Sequence, residues 1–156
     1  MPQIILLSTF LIALVILKIL HKEYRLALSG RIAMAAMLMT TGVAHFVFAK
    51  GMTLMLPDFI PYRFELVYFT GVIEMMAAIG LLLPRYRKLT AWLLIVFFVV
   101  LLPSNIYASM KHVNLQTATF DGNGPGYLWF RIPLQIFFIG WVYFSGLKFS
   151  AAGSDH

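Results

Sequence analysis

The chain has no cysteine, which excludes disulfides, dithiol redox chemistry and thiolate metal sites within it. It is also poor in charge. Only 12% of its 156 residues are Asp, Glu, Lys or Arg, and six of them are acidic. A soluble domain of this length needs a more polar surface than that. No phosphate-cradling glycine loop, serine nucleophile elbow or HExxH zinc motif occurs, so no residue is assigned a catalytic role. Internal repeats and low-complexity segments are absent too, which speaks against alternating access by a monomer. What remains is apolar: 61% hydrophobic residues and a mean hydropathy of +0.86. The class is an all-α integral membrane protein.

Five apolar runs are near the ~20 residues that a helix needs to cross the hydrocarbon core. They are Ile4–Leu20, Arg31–Ala49, Leu66–Leu83, Leu89–Met110 and Leu128–Gly146. The first is read as a retained helix and not as a signal peptide, because no basic residue precedes it while Lys18, Lys22 and Arg25 follow. The net charge of +6 does not mark a nucleic-acid surface, since the basic residues lie in short connections between apolar runs. Lys22, Arg25 and Arg31 flank the first connection, and Arg85, Arg87 and Lys88 the third. The second and fourth balance their bases with Asp58, Glu65 and Asp121. The positive-inside rule then puts the N-terminus outside and the C-terminus inside. The organisation expected is a helix and basic loop over residues 1–30, a four-helix core over 31–147 and a short cytoplasmic tail over 148–156. Tyr62, Tyr68, Tyr107, Tyr127 and Trp129 are expected at the outer interface, and Trp92, Trp141 and Tyr143 at the inner one.

Against this background the polar residues stand out. Glu74 lies in the third span, roughly 12 Å from its outer end at helical rise. An intramembrane acid is a functional-site hypothesis by default. Its helical neighbours Thr70, Gly71, Ala77 and Ala78 let other helices approach closely. His45 lies in the second span, roughly 6 Å deep, beside Thr41, Gly42 and Ala49. Asn105 occupies the outer quarter of the fourth span, and Arg131 and Gln135 share a face of the fifth. The expectation is one outward-opening polar pocket, with Glu74 at its floor and paired with Arg131 nearer the mouth. A buried ion pair that fixes helix register accounts for the same residues. One histidine and one carboxylate are too few ligands for a metal, and Asp121 and Asn123 lack the rest of a calcium loop. Pro103 removes the donor for the Val99 carbonyl, and Pro133 interrupts the fifth span. The methionines Met34, Met37, Met39, Met75 and Met76 read as pliable packing.

An ordered set of motifs resembles the DoxX-like family of small integral membrane proteins. It runs Gly42-Val43-Ala44-His45-Phe46, Pro57 and Pro61, Tyr68-Phe69-Thr70-Gly71-Val72-Ile73-Glu74, Gly80 to Pro84, Pro103-Ser104-Asn105-Ile106 and Arg131-Ile132-Pro133-Leu134-Gln135. The resemblance implies a four-helix membrane bundle with both core ends in the cytoplasm, and Ile4–Leu20 as an added helix. Relatives in that family serve thiosulfate:quinone oxidation, amine dehydrogenase maturation and receptor chaperoning. The missing cysteines speak against a thiol relay here.

Three functions follow as expectations. In the first, the chain is an accessory or binding subunit of a redox or stress pathway in a bacterial inner membrane. His45, Glu74, Asn105, Arg131 and Gln135 then surround a quinone or lipid-like amphiphile. In the second it is an assembly factor or chaperone for a membrane-protein partner, and the polar cluster is structural. In the third it is a quinone-linked oxidoreductase, with no cofactor motif of its own. The partners implied are the bilayer, a membrane protein or a second copy, and no nucleic acid.

Overall fold

The computed structural model describes residues 2–148; most of the expected tail, 149–156, lies outside the described residues. Among them the regular structure is helical, apart from a single bridge between Asn114 and Thr119. Six α-helices occur in the order α1 (Pro2–His21), α2 (Leu26–Val47), α3 (Ala49–Thr53), α4 (Arg63–Leu82), α5 (Arg87–Met110) and α6 (Leu128–Val142). A 3₁₀ turn at Pro125–Tyr127 leads into α6, and a π-helical turn at Tyr143–Lys148 follows it. Five helical segments are long and apolar enough to cross a membrane, and they mark the chain as a membrane protein.

The helices overrun the apolar runs by a few residues. α2 begins at Leu26, not Arg31, and α4 at Arg63, not Leu66. Apolarity marks the hydrocarbon core, whereas backbone hydrogen bonding carries a helix on into the headgroup layer. At the far end α6 stops at Val142 and its last turn widens to π geometry.

α2 is the central helix. In its apolar stretch 44% of the residues are buried, against 11% in α1. It packs on α1, α4, α6 and the π turn, while α5 packs on α4, α6 and that same turn. The core gathers Met34, Met37, Leu38, Ala78, Leu81, Leu94, Phe98, Phe138 and Val142, with Leu6 supplied by α1. Met34 and Met37 fill it, but Met76 lies on the exterior at 66% exposure. α1 otherwise turns Leu7, Leu11, Val15 and Ile19 outward, which suits a lipid-facing helix.

The two ends of the bundle differ. One carries α3 and the 111–127 connection and is called the loop end here. The other carries residues 22–25, the turn before α5 and the π turn, and is called the basic end. Trp129 is 87% exposed at the loop end and Tyr62 77%. Trp141 behaves differently from the expected belt residue. Its indole N–H donates to the Gly30 carbonyl at 3.0 Å, and its ring meets Phe10 edge-on at 5.0 Å.

α3 was not expected from the sequence. Phe48 leaves helical geometry (φ −108°, ψ 28°), ending α2, and a single turn resumes at Ala49. A Cβ on Gly51 would fall 2.0 Å from the Leu115 carbonyl oxygen. Only glycine lets α3 seat the 111–124 loop over the loop end. Within that loop Asn114 N–H donates to the Thr119 carbonyl at 2.8 Å and Gly122 N–H to the His112 carbonyl at 2.7 Å.

Candidate functional site

A close approach of two helices builds the first half of the site. Gly42 of α2 and Gly71 of α4 face one another. A Cβ on either would lie 3.0 Å from the other's carbonyl oxygen, and one on Gly71 only 2.7 Å from the His45 Cβ. This contact brings Thr41 and His45, the neighbours of Gly42 on α2, against Glu74, one turn beyond Gly71.

Glu74 is 5% exposed. Its Oε2 accepts the Thr41 hydroxyl at 2.6 Å. That hydroxyl also lies 3.2 Å from the Leu38 carbonyl, but it has one proton and the shorter contact takes it. His45 Nδ1 lies 2.9 Å from the Thr41 carbonyl. A carbonyl only accepts, so this hydrogen bond assigns the ring proton to Nδ1. The same nitrogen is 3.8 Å from Glu74 Oε2. A carboxylate, a hydroxyl and an imidazole thus form one unit that can hold or pass a proton.

α5 and α6 build the second half. Arg131 Nη2 donates to Asn105 Oδ1 at 2.9 Å, and the guanidinium also lies 5.9 Å from the centre of the Tyr127 ring. Asn105 Nδ2 reaches Gln135 Oε1 at 3.4 Å, a long contact. Gln135 Nε2 donates to the Phe98 carbonyl at 2.6 Å. This carbonyl is one residue before that of Val99, which Pro103 leaves without its helical donor. Asn105 and Gln135 are buried and Arg131 is half-buried.

The five expected residues therefore assemble as two clusters and not as one ring. The Glu74–Arg131 pair does not form. The ionic neighbour of Glu74 is His45, and Arg131 makes no ion pair among the described residues. The reason is packing: Glu74 lies on the side of α4 that meets α2, whereas Arg131 lies on the side of α6 that meets α5. Similar depth fixed the height of each residue but not its bearing around the bundle.

Two clefts open at the loop end, and none of the five residues lines either. One, of about 420 Å³, lies between Phe46, Lys50, Phe64, Tyr68 and residues 115–118. The other, of about 560 Å³, is bounded by Lys50, Thr53, Tyr62, Arg63 and Glu65. Phe46 and Tyr68 stack at 5.4 Å with their rings 9° from parallel. Phe46 follows His45 directly, and Tyr68 precedes Glu74 by six residues, about 9 Å along α4. The first cleft thus begins next to the buried unit. Arg63 is held by Asp58 at 2.8 Å, which leaves Lys50 as the cation in both clefts without a carboxylate partner among the described residues. In the sequence Tyr62 and Tyr68 read as part of an interfacial belt, and no local pattern separates a cleft wall from such a belt.

A family model described as a domain of unknown function (DUF8561) matches residues 34–145. No curated protein and no solved structure matches the chain.

Proposed function

The chain belongs to the DUF8561 family, and we propose that it is a binding or accessory subunit that takes a small amphiphile at its loop end. The ligand class is a quinone or a lipid-like molecule with a ring or carbonyl headgroup. Its ring packs between Phe46, Phe64 and Tyr68, Lys50 meets its oxygen atoms, and the His45–Glu74–Thr41 unit beneath sets polarity and proton supply. The observation that carries this reading is the buried carboxylate, bonded by Thr41 and neighboured by His45 from another helix, within about two helical turns of an aromatic cleft. Arg131, Asn105 and Gln135 hold the opposite wall of the bundle and keep α5 and α6 in register.

In this reading the loop end faces outside a bacterial inner membrane. The support is charge: Lys22, Arg25, Arg85, Arg87, Lys88 and Lys148 all belong to the other end. The DoxX-like resemblance is part of the same proposal, and with it service in a redox or stress pathway. One observation favours the alternative of an assembly factor. Each buried polar group of the two clusters already has a partner within the chain, as a purely structural network requires.

The test is thermal unfolding and native mass spectrometry of the purified protein with a short-chain quinone. At 100 times Kd, a ligand stabilises by about 2.7 kcal/mol. Binding by the wild type, weakened in Phe46→Ala and Tyr68→Ala, supports the proposal. An unchanged melting temperature with every quinone and lipid probe, together with co-purification of a stoichiometric membrane protein, supports the assembly factor instead.

A further inference from the structure

At the basic end, Arg31 of α2 and Arg87 of α5 flank the π turn, and neither forms an ion pair with a carboxylate among the described residues. A Cβ on Gly30 would lie 2.9 Å from the Ser145 Cβ, and one on Gly146 would lie 2.8 Å from the Ala91 Cβ. The π turn is thus wedged between the N-terminal parts of α2 and α5. Arg31 follows Gly30, and Arg87 precedes Ala91 by four residues, about 6 Å along α5. Arg31 Nε donates to the Ala27 carbonyl of its own helix at 3.2 Å. Arg87 Nε is enclosed and has no hydrogen-bond partner. Neither arginine forms an ion pair among the described residues. Both helices also begin without a side-chain cap and without an acid in the first turn. Their free amides and positive dipole ends therefore add to the same field.

A paired, partly enclosed cationic site with an unmet donor fits an anion that presents several oxygens to planar guanidinium forks. We propose that Arg31 and Arg87 clamp a phosphate group at the basic end, either the phosphate of an anionic lipid headgroup or free inorganic phosphate. This site is separate from the loop-end clefts and does not rest on the function proposed for them.

The purified protein in a neutral detergent tests the assignment by native mass spectrometry and thermal unfolding. The probes are phosphatidylglycerol, diacylglycerol with the same chains and no phosphate, and inorganic phosphate. Phosphatidylglycerol is expected to bind and diacylglycerol not to. Arg31→Gln and Arg87→Gln are each expected to weaken binding about tenfold, the scale of one charge-assisted hydrogen-bond fork. Arg85→Gln removes the same charge from an exposed position at that end and is expected to change binding by less than about twofold. Arg87→Lys keeps the charge without the fork, and carries the test should Arg87→Gln not fold; it is expected to weaken binding as well. Binding of inorganic phosphate in competition with the lipid assigns the site to free phosphate, and binding of the lipid alone assigns it to the headgroup. Equal losses in Arg85→Gln and Arg87→Gln, or no binding of either phosphate-bearing probe, overturn the proposal.

Discussion

Glu74 is tolerated among apolar helices because the Thr41 hydroxyl reaches it at 2.6 Å and His45 stands 3.8 Å away. A hydrogen bond between membrane helices contributes only about 0.6 kcal/mol on average. Leaving buried polar partners unmet costs about 1–3 kcal/mol. Glu74→Gln retains an acceptor for Thr41, so its stability is expected to stay within about 1 kcal/mol of the wild type. Glu74→Leu leaves the Thr41 hydroxyl only the longer contact to the Leu38 carbonyl and sets a branched apolar side chain against the Thr41 and His45 polar atoms, and it is expected to lose about 1–3 kcal/mol in reversible thermal or denaturant unfolding. Equal losses in both would remove Thr41 from the account. Polar residues in an apolar run are conspicuous, which is why all five were legible in the sequence. Their pairing was not, because hydropathy gives depth and leaves the bearing of each helix face open. Thr41 shows the limit well: its spacing to His45 was visible, but a threonine in a span reads as a small packing residue. Outside the spans, Asp121 gives a pH prediction. The Thr119 hydroxyl donates to its carboxylate, first among several hydrogen bonds that hold the group below its ordinary value. A lowered carboxyl favours the folded loop above the ordinary carboxylate range, and that preference disappears as pH falls through the depressed value. A carbon-detected titration of Asp121 is expected to show a midpoint below the usual aspartate value, and Thr119→Val to move it upward.

The α2–α4 crossing sets the site at the level of elements. Gly42 and Gly71 let two backbones come within van der Waals range, and no larger side chain fits between His45 and Gly71 without a shift. Gly71→Ala improves intrinsic helix propensity by about 1 kcal/mol, yet forces His45 and α2 outward. Overpacking of this kind costs about 1–3 kcal/mol, so the net expectation is loss of stability together with loss of loop-end ligand binding. Unchanged unfolding with unchanged binding would show that the crossing does not position the site. The five long helices were legible from apolar length alone, with ends displaced by up to five residues. α3 was not, because its five residues sit between a helix end and a proline-containing stretch and depend on the distant Leu115 loop for their packing. The π turn after α6 has no evident sequence signal either, since its Ser145-Gly146 pair is fixed by contacts to α2 and α5.

At the scale of the molecule, the chain is a bundle with two chemically unlike ends joined by apolar walls. The buried acid and the aromatic cleft belong to the loop end, and Arg31 and Arg87, without an ion pair among the described residues, to the basic end. Charge bias between connections was plain in the sequence, whereas the clefts arise from the way the 115–118 segment folds over α3, which no local pattern specifies. The central claim is that the cleft beside Phe46 and Tyr68, above His45 and Glu74, holds an amphiphile with a ring headgroup. A photoreactive short-chain quinone cross-linked to the membrane-embedded protein, then mapped by peptide mass spectrometry, tests it directly. The account predicts labelling concentrated on residues 46–50, 64–68 and 115–118, suppressed by excess unlabelled quinone and reduced in Phe46→Ala. Labelling spread along the lipid-facing residues of α1 and α5, and indifferent to competitor, would contradict it.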